Sequence, residues 1–127
     1  MKQHTFRKPE RLCSRDRIRK VLSTGRSVQV SPVRLIGSYM QLEPNVRAQV
    51  AFSVPRRSMK RAVDRNRMKR LMREAYRLSN APRLEQLQAS DRQCAWFFMY
   101  RSAERIPFNE VLDKICQAMD RWILEHG

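Results

Sequence analysis

The chain has 127 residues, enough for one domain whose core folds without disulfide or metal staples. Lys and Arg number 27 against 12 Asp and Glu, a formal charge of +15, and 42% hydrophobic residues exclude a disordered basic tail. Cys13, Cys94 and Cys116 are widely separated, form no C-x-x-C pair and have only His4 and His126 for company, so neither a disulfide framework nor a zinc knuckle is expected. The longest apolar run, Cys94 to Tyr100, is too short to span a bilayer, and no signal-type apolar segment follows the basic N-terminus. The expected class is a small cytoplasmic protein without membrane contact, whose partner is a polyanion.

In chain order, residues 1–9 read as a loose basic arm, with Phe6 available as an anchor. Ser14-Arg15-Asp16 can start a helix, on which Ile18, Val21 and Leu22 fall at i, i+3 and i+4. Gly25 should stop it by taking a left-handed conformation. Val33 to Met40 is a strand interrupted by Gly37, and Glu43-Pro44-Asn45 is a turn. Val46, Ala48, Val50, Phe52 and Val54 alternate with their neighbours, the period of a half-buried strand. From Asp64, expected to cap the next helix, the period changes: Met68, Leu71, Met72, Ala75 and Tyr76 make an apolar helical stripe. Ser79-Asn80-Ala81-Pro82 should end that helix, with a short one over Arg83 to Ala89. Cys94 to Tyr100 reads as a central strand covered on both faces. After Pro107, Phe108, Val111, Leu112, Ile115, Met119, Trp122 and Ile123 mark a long amphipathic helix. The order describes an α+β or α/β sandwich, one small sheet packed with about three helices, as a single domain over 1–127.

The charge is segregated along this order. Residues 56–77 carry ten cations (Arg56, Arg57, Lys60, Arg61, Arg65, Arg67, Lys69, Arg70, Arg73 and Arg77) against Asp64 and Glu74 alone. From Leu84 onward the balance reverses, with five basic and seven acidic residues. A solvated helix face interleaves both signs because like charges one turn apart repel. Of the 27 cations 21 are arginine, whose planar fork suits phosphate and stacks on bases, so the favoured polyanion is nucleic acid. No catalytic constellation assembles beside it. The histidines lie at the chain ends, three glycines exclude a phosphate-cradling loop, and Asp64 and Glu74 stand ten residues apart.

The segment Ala62-Val63-Asp64-Arg65-Asn66-Arg67-Met68-Lys69-Arg70-Leu71-Met72-Arg73-Glu74-Ala75-Tyr76-Arg77 strongly resembles the signature of the bacterial ribonuclease P protein subunit. There an Arg-Asn-Arg triplet opens a basic helix, followed by Lys-Arg and a further Arg. Arg65, Asn66, Arg67, Lys69, Arg70 and Arg73 fill those places here. The strand Val50 to Pro55 leading into Arg56 and Arg57 fits as well. The resemblance implies a fold in which the basic helix is a left-handed crossover between two parallel strands, against the usual hand. It implies a partner, the ribonuclease P catalytic RNA, which uses Mg²⁺ bound mainly by that RNA and the substrate to remove the 5′ leader of precursor tRNA. One protein would serve each RNA, and no DNA would be bound.

Within that resemblance, Arg56, Arg57, Lys60, Arg61, Arg65, Asn66, Arg67, Lys69, Arg70, Arg73 and Arg77 are expected to bind RNA. A cleft between the first helix and the sheet would hold the single-stranded leader, lined by Arg17, Ile18, Leu22, Arg34 and Ile36. The family commonly has phenylalanine at two of these helix positions and an aromatic on the strand. Here Ile18, Leu22 and Ile36 offer apolar packing instead of stacking, and the same spacing would serve a plain core. The rival reading is a general RNA-binding or ribosomal-type protein, which needs only the basic face. A DNA-binding basic helix ranks lower for want of a zipper or helix-turn-helix partner.

Overall fold

The computed structural model describes residues 8–126, so most of the expected arm, Phe6 included, lies outside the described residues. A 3-10 turn at Lys8–Glu10 leads to helix α1 (Arg15–Thr24) and strands β1 (Arg26–Val30), β2 (Val33–Tyr39) and β3 (Ala48–Ser53). Helix α2 (Ala62–Ala89), strand β4 (Cys94–Tyr100) and helix α3 (Phe108–His126) follow. The strands form a mixed sheet in the order β1-β2-β4-β3. The β1–β2 and β2–β4 pairs are antiparallel, whereas β3 and β4 are parallel and α2 is the crossover that joins them. One mixed sheet with three α-helices is the expected α+β sandwich.

Successive strand residues point to opposite faces, so the two sides of the sheet bury different sets. Leu35, Val50, Trp96 and Phe98 meet Met68, Met72, Tyr76, Ile115, Met119 and Trp122 of α2 and α3 in the main core. Trp96 and Trp122 pack edge to face, centroids 5.7 Å apart. Gly37 does not interrupt β2. A Cβ there would stand 2.6 Å from both indoles, so the glycine lets two large rings reach the sheet. On the opposite face Val21 of α1 packs with Leu12, Ile36 and Ala95 in a smaller cluster.

Four local expectations are corrected. β1 was invisible as a strand because its apolar pattern is only Val28 and Val30. It is held from outside, by β2 and by α3, whose Arg121 Nη1 and Trp122 Nε1 donate to the Gln29 and Arg26 carbonyls (2.9 Å each). Gly25 is not left-handed but extended (φ −71°, ψ 160°), and its N–H donates to the Val21 carbonyl at 2.8 Å. Its need is space, since a Cβ would lie 2.3 Å from that oxygen. Asp64 does not cap α2; Arg61 occupies that place without a side-chain bond. Asp64 sits in the first turn, where its charge suits the helix dipole, and pairs with Arg105 at 3.6 Å.

The fourth correction is the largest. α2 runs unbroken through Pro82 instead of ending at residues 79–82. Proline removes one N–H and crowds the carbonyl four residues back, a local penalty that tertiary packing overrides here. Arg83 grips Asp120 of α3 with Nε and Nη2 (2.9 and 2.8 Å) and donates from Nη1 to the Ser79 carbonyl (3.1 Å). Ser79, Asn80 and Leu87 are buried on either side.

Candidate nucleic-acid interface

Register gathers the cations at one end of the sheet. Val33 pairs with Tyr100 and Met99 with Ser53, so β2 starts where β3 and β4 finish. The Pro55–Arg61 segment and the start of α2 follow β3 at that end, and Arg101 follows β4, its N–H bound to the Pro32 carbonyl at 2.8 Å. The apolar stripe of α2 turns inward, with Met68, Met72, Ala75 and Tyr76 buried and Leu71 half-buried. Asn66, Arg67, Arg70 and Arg73 are exposed on the other side, with Lys69 half-buried beside them. Arg56, Arg57, Lys60, Arg61, Arg67, Lys69, Arg70 and Arg73 form no ion pair among the described residues. So many cations without counter-charge on one surface is a standing electrostatic cost that a polyanion removes.

Two of the expected cations have other duties. Arg65 Nη1 donates to the carbonyls of Met59 (2.9 Å) and Lys60 (2.8 Å), fastening the loop that presents Arg56, Arg57, Lys60 and Arg61. Arg77 binds Glu74 on its own helix, and its hydrogen bond holds the Glu74 carboxyl below the usual carboxylate range.

On the α1 side the three apolar helix residues part company. Val21 is 0% exposed and belongs to the core, Ile18 is half-buried, and Leu22 is 47% exposed. Ile36 is 7% exposed and packs under α1, a floor residue more than an open wall. Arg34 is half-buried on the same sheet face. Arg17 is tied down: Nη1 donates to Gln49 Oε1 at 2.9 Å and Nη2 lies 3.1 Å from Glu43 Oε1. Gln49 in turn donates to the Pro9 carbonyl at 3.0 Å. The Arg17 hydrogen bond also keeps the Glu43 carboxyl below its ordinary range. Arg17 therefore locks α1 to the β2–β3 turn and β3.

Sequence reasoning missed four residues here. Across the α1 face run the rows Ile36–Phe97–Ala51 and Arg34–Met99–Ser53, in which Phe97 and Met99 are half-buried. The all-apolar run of β4 pointed to full cover on both faces, but α1 spans only about 15 Å and leaves part of this face open. Phe97 thus supplies an aromatic on this face, packed with Ile18 against the Leu12–Val21–Ile36–Ala95 cluster. Arg101 and Arg105 carry no signal in the sequence because they lie in a mixed-charge stretch; only pairing of β4 with β2 and β3 carries them to the basic end.

Among the described residues, no three of His, Cys, Asp and Glu cluster closely enough to hold a metal ion. The described cysteines are unpaired, with Cys13 exposed and Cys94 buried. No helix among them is long and apolar enough to cross a membrane.

The family model described as Ribonuclease P matches residues 6–122. The ribonuclease P protein component of Porphyromonas gingivalis is 36% identical over 104 residues, which cover 82% of this chain and 76% of that one. The corresponding protein of Chlorobaculum tepidum is 44% identical over 69 residues, 50% of this chain and 45% of that one. Among solved structures, the Staphylococcus aureus RNase P protein superposes with a TM-score of 0.70 at 16% identity, covering 90% of this chain and 95% of that one. The Thermotoga maritima RNase P protein gives 0.68 at 20% identity, with 88% and 96% covered. A family match along nearly the whole sequence, a relative this similar over most of its length and a shared fold agree: the chain belongs to the ribonuclease P protein family.

Proposed function

We propose that the chain, as the protein subunit of a cytoplasmic ribonuclease P holoenzyme, assists a catalytic RNA in removing the 5′ leader from precursor tRNA, one protein per RNA. The observation that carries this reading is the uncompensated row of cations over Arg56–Arg73, set at one end of a ribonuclease P protein fold. These side chains bind the RNA, and release of its condensed counterions drives association. The leader lies along α1 and the neighbouring sheet face, over Ile18, Leu22, Phe97 and Met99 with Arg34 beside them. Apolar packing there holds single-stranded nucleotides, and one base stacks on Phe97.

The described residues do not fit Mg²⁺. Asp64 and Glu74 are each paired with arginine, and the described residues hold no ligand cluster. Mg²⁺ is therefore assigned to the RNA and the substrate. Positive charge between two crowded polyanions lowers their repulsion, which raises affinity for the substrate and for the cation. Reconstitution tests the reading. The RNA-free protein should leave precursor tRNA intact, while adding it to the catalytic RNA should stimulate 5′ cleavage at moderate Mg²⁺. Specific cleavage by RNA-free protein, or no stimulation, would overturn it.

A further inference from the structure

A groove of about 560 Å³ separates α2 from the link between β4 and α3. Its floor is apolar, made by Leu71, Ile106 and Phe108, half-buried against the main core above the buried Met68. Arg67 and Arg105 stand exposed at its rim. Asp64 lies 3.6 Å from one Arg105 nitrogen and anchors that side chain over α2, but Arg105 remains 57% exposed and keeps further donors free. The groove adjoins the outer face of α2 yet differs from it in kind. A ridge of arginines matches phosphates, whereas an uncovered apolar floor gains nothing from a phosphate.

We propose that this groove takes an unpaired nucleotide of the RNA partner, its base on the apolar floor and its phosphate between Arg67 and Arg105. The inference rests on the reading of α2 as the RNA interface and adds the form of RNA recognised. A regular duplex offers the protein mainly sugar and phosphate, because its bases are stacked and paired inside. It would leave Leu71, Ile106 and Phe108 exposed to water. A nucleotide flipped out of a helix supplies an apolar, flat base together with an anion, and the groove offers a partner for each. Charge points to an anionic occupant, because a neutral or basic protein segment seated here would leave the cations of α2 without counter-charge.

Three RNA hairpins decide the matter: one fully paired, one with a single bulged adenosine, and one with the same bulge lacking its base. Affinities of the full-length chain are compared by fluorescence anisotropy. The adenosine bulge should bind about fivefold or more tighter than the abasic one, the weakest effect of a stacked base. Ile106→Glu, in the floor, should pull that ratio toward one; Arg105→Ala should weaken both bulged hairpins more than the paired one; Leu124→Ala, on the exposed side of α3, should leave the ratio unchanged. Ile106→Ala carries the test if Ile106→Glu does not fold. Equal affinity for the adenosine and abasic bulges, or a ratio unmoved by the floor substitutions, would overturn the proposal. Arg70→Ala separates the two levels of inference by weakening all three hairpins alike. If it does so while the ratio is absent, the groove alone is wrong; if it weakens none, the α2 interface fails with it.

Discussion

Val21→Ala and Leu22→Ala remove apolar atoms from adjacent residues of one helix, and the structure separates their effects. Val21 is 0% exposed beneath Ile36 and Ala95, so truncation loses two buried methyl groups and leaves a small cavity. That costs about 2 kcal/mol, which for a domain of this size lowers the melting temperature by roughly 6–10 °C. Leu22 is 47% exposed. Half its surface already faces water, solvent fills whatever is removed, and alanine favours the helix slightly. The net loss is below about 1 kcal/mol, no more than roughly 3–4 °C. Function should sort the pair in the opposite order. In the reconstituted holoenzyme, Leu22→Ala should erode the preference for precursor over mature tRNA, and Leu22→Phe should sharpen it by adding a ring on the exposed side of α1. Thermal melts and paired dissociation constants are the two readouts. A Leu22→Ala melting loss as large as that of Val21→Ala, with discrimination unchanged, would show that Leu22 is core and that the leader does not pass along α1.

Phe97→Ala should weaken precursor tRNA binding by about 1–3 kcal/mol, the worth of one stacked base, with mature tRNA unaffected in a competition assay. Arg67→Ala and Arg70→Ala should each cost on the order of 1.5–3 kcal/mol of affinity for the catalytic RNA, lower the slope of affinity against salt, and leave the circular dichroism spectrum native. Burial pushes the Cys94 thiol and the Tyr76 hydroxyl above their ordinary values of 9.0 and 10.0. A folded-state pKa raised in this way contributes stability that is complete below the unfolded pKa and is lost as pH rises. The urea midpoint should therefore hold between pH 7 and 8.5 and fall above about pH 9, as the unfolded thiol ionises first. A midpoint unchanged to pH 10.5 would contradict the burial of both groups.

What the sequence disclosed, and what it hid, follows from where each signal lives. The stripe of α2 and the alternation of β3 are local periods, so they were legible at once. The extent of α2 was not, because Pro82 is a local breaker overruled by Arg83–Asp120 and by burial of Leu87, contacts with residues distant in sequence. β1 is five residues with two buried side chains, and only its partners make it a strand. The basic helix could be read from composition alone. The duties inside it could not, since nothing in the spacing separates Arg65, which fastens the loop before α2, from Arg67, which faces solvent. The cleft was legible on α1 and incomplete on the sheet. Phe97 faces outward only because β4 lies between β2 and β3 with a short helix above it, a matter of topology that an apolar run conceals.

That topology also explains why the cations of α2 and the groove beside them fall at one end of the molecule. Parallel strands finish at the same end, and a crossover helix must start where the first of them stops. Once β3 and β4 are parallel, the Pro55–Arg61 loop, the first turns of α2 and the Arg101–Ile106 segment have no other place to be. The pairing of Met99 with Arg34 and Ser53 brings the open end of the α1-side face there as well. Ligands of open sheets with parallel strands gather at those carboxyl ends for the same reason. The distant half of α2 does the opposite work. Its Arg83 is spent on Asp120, and Leu87 is sunk in the core, so the helix is anchored from behind while Arg67, Lys69, Arg70 and Arg73 in its first half form no ion pair among the described residues. Anchoring matters because ten cations in so short a stretch repel one another. Only a helix held elsewhere can keep them aligned before the RNA arrives, and alignment in advance spares binding the cost of ordering them.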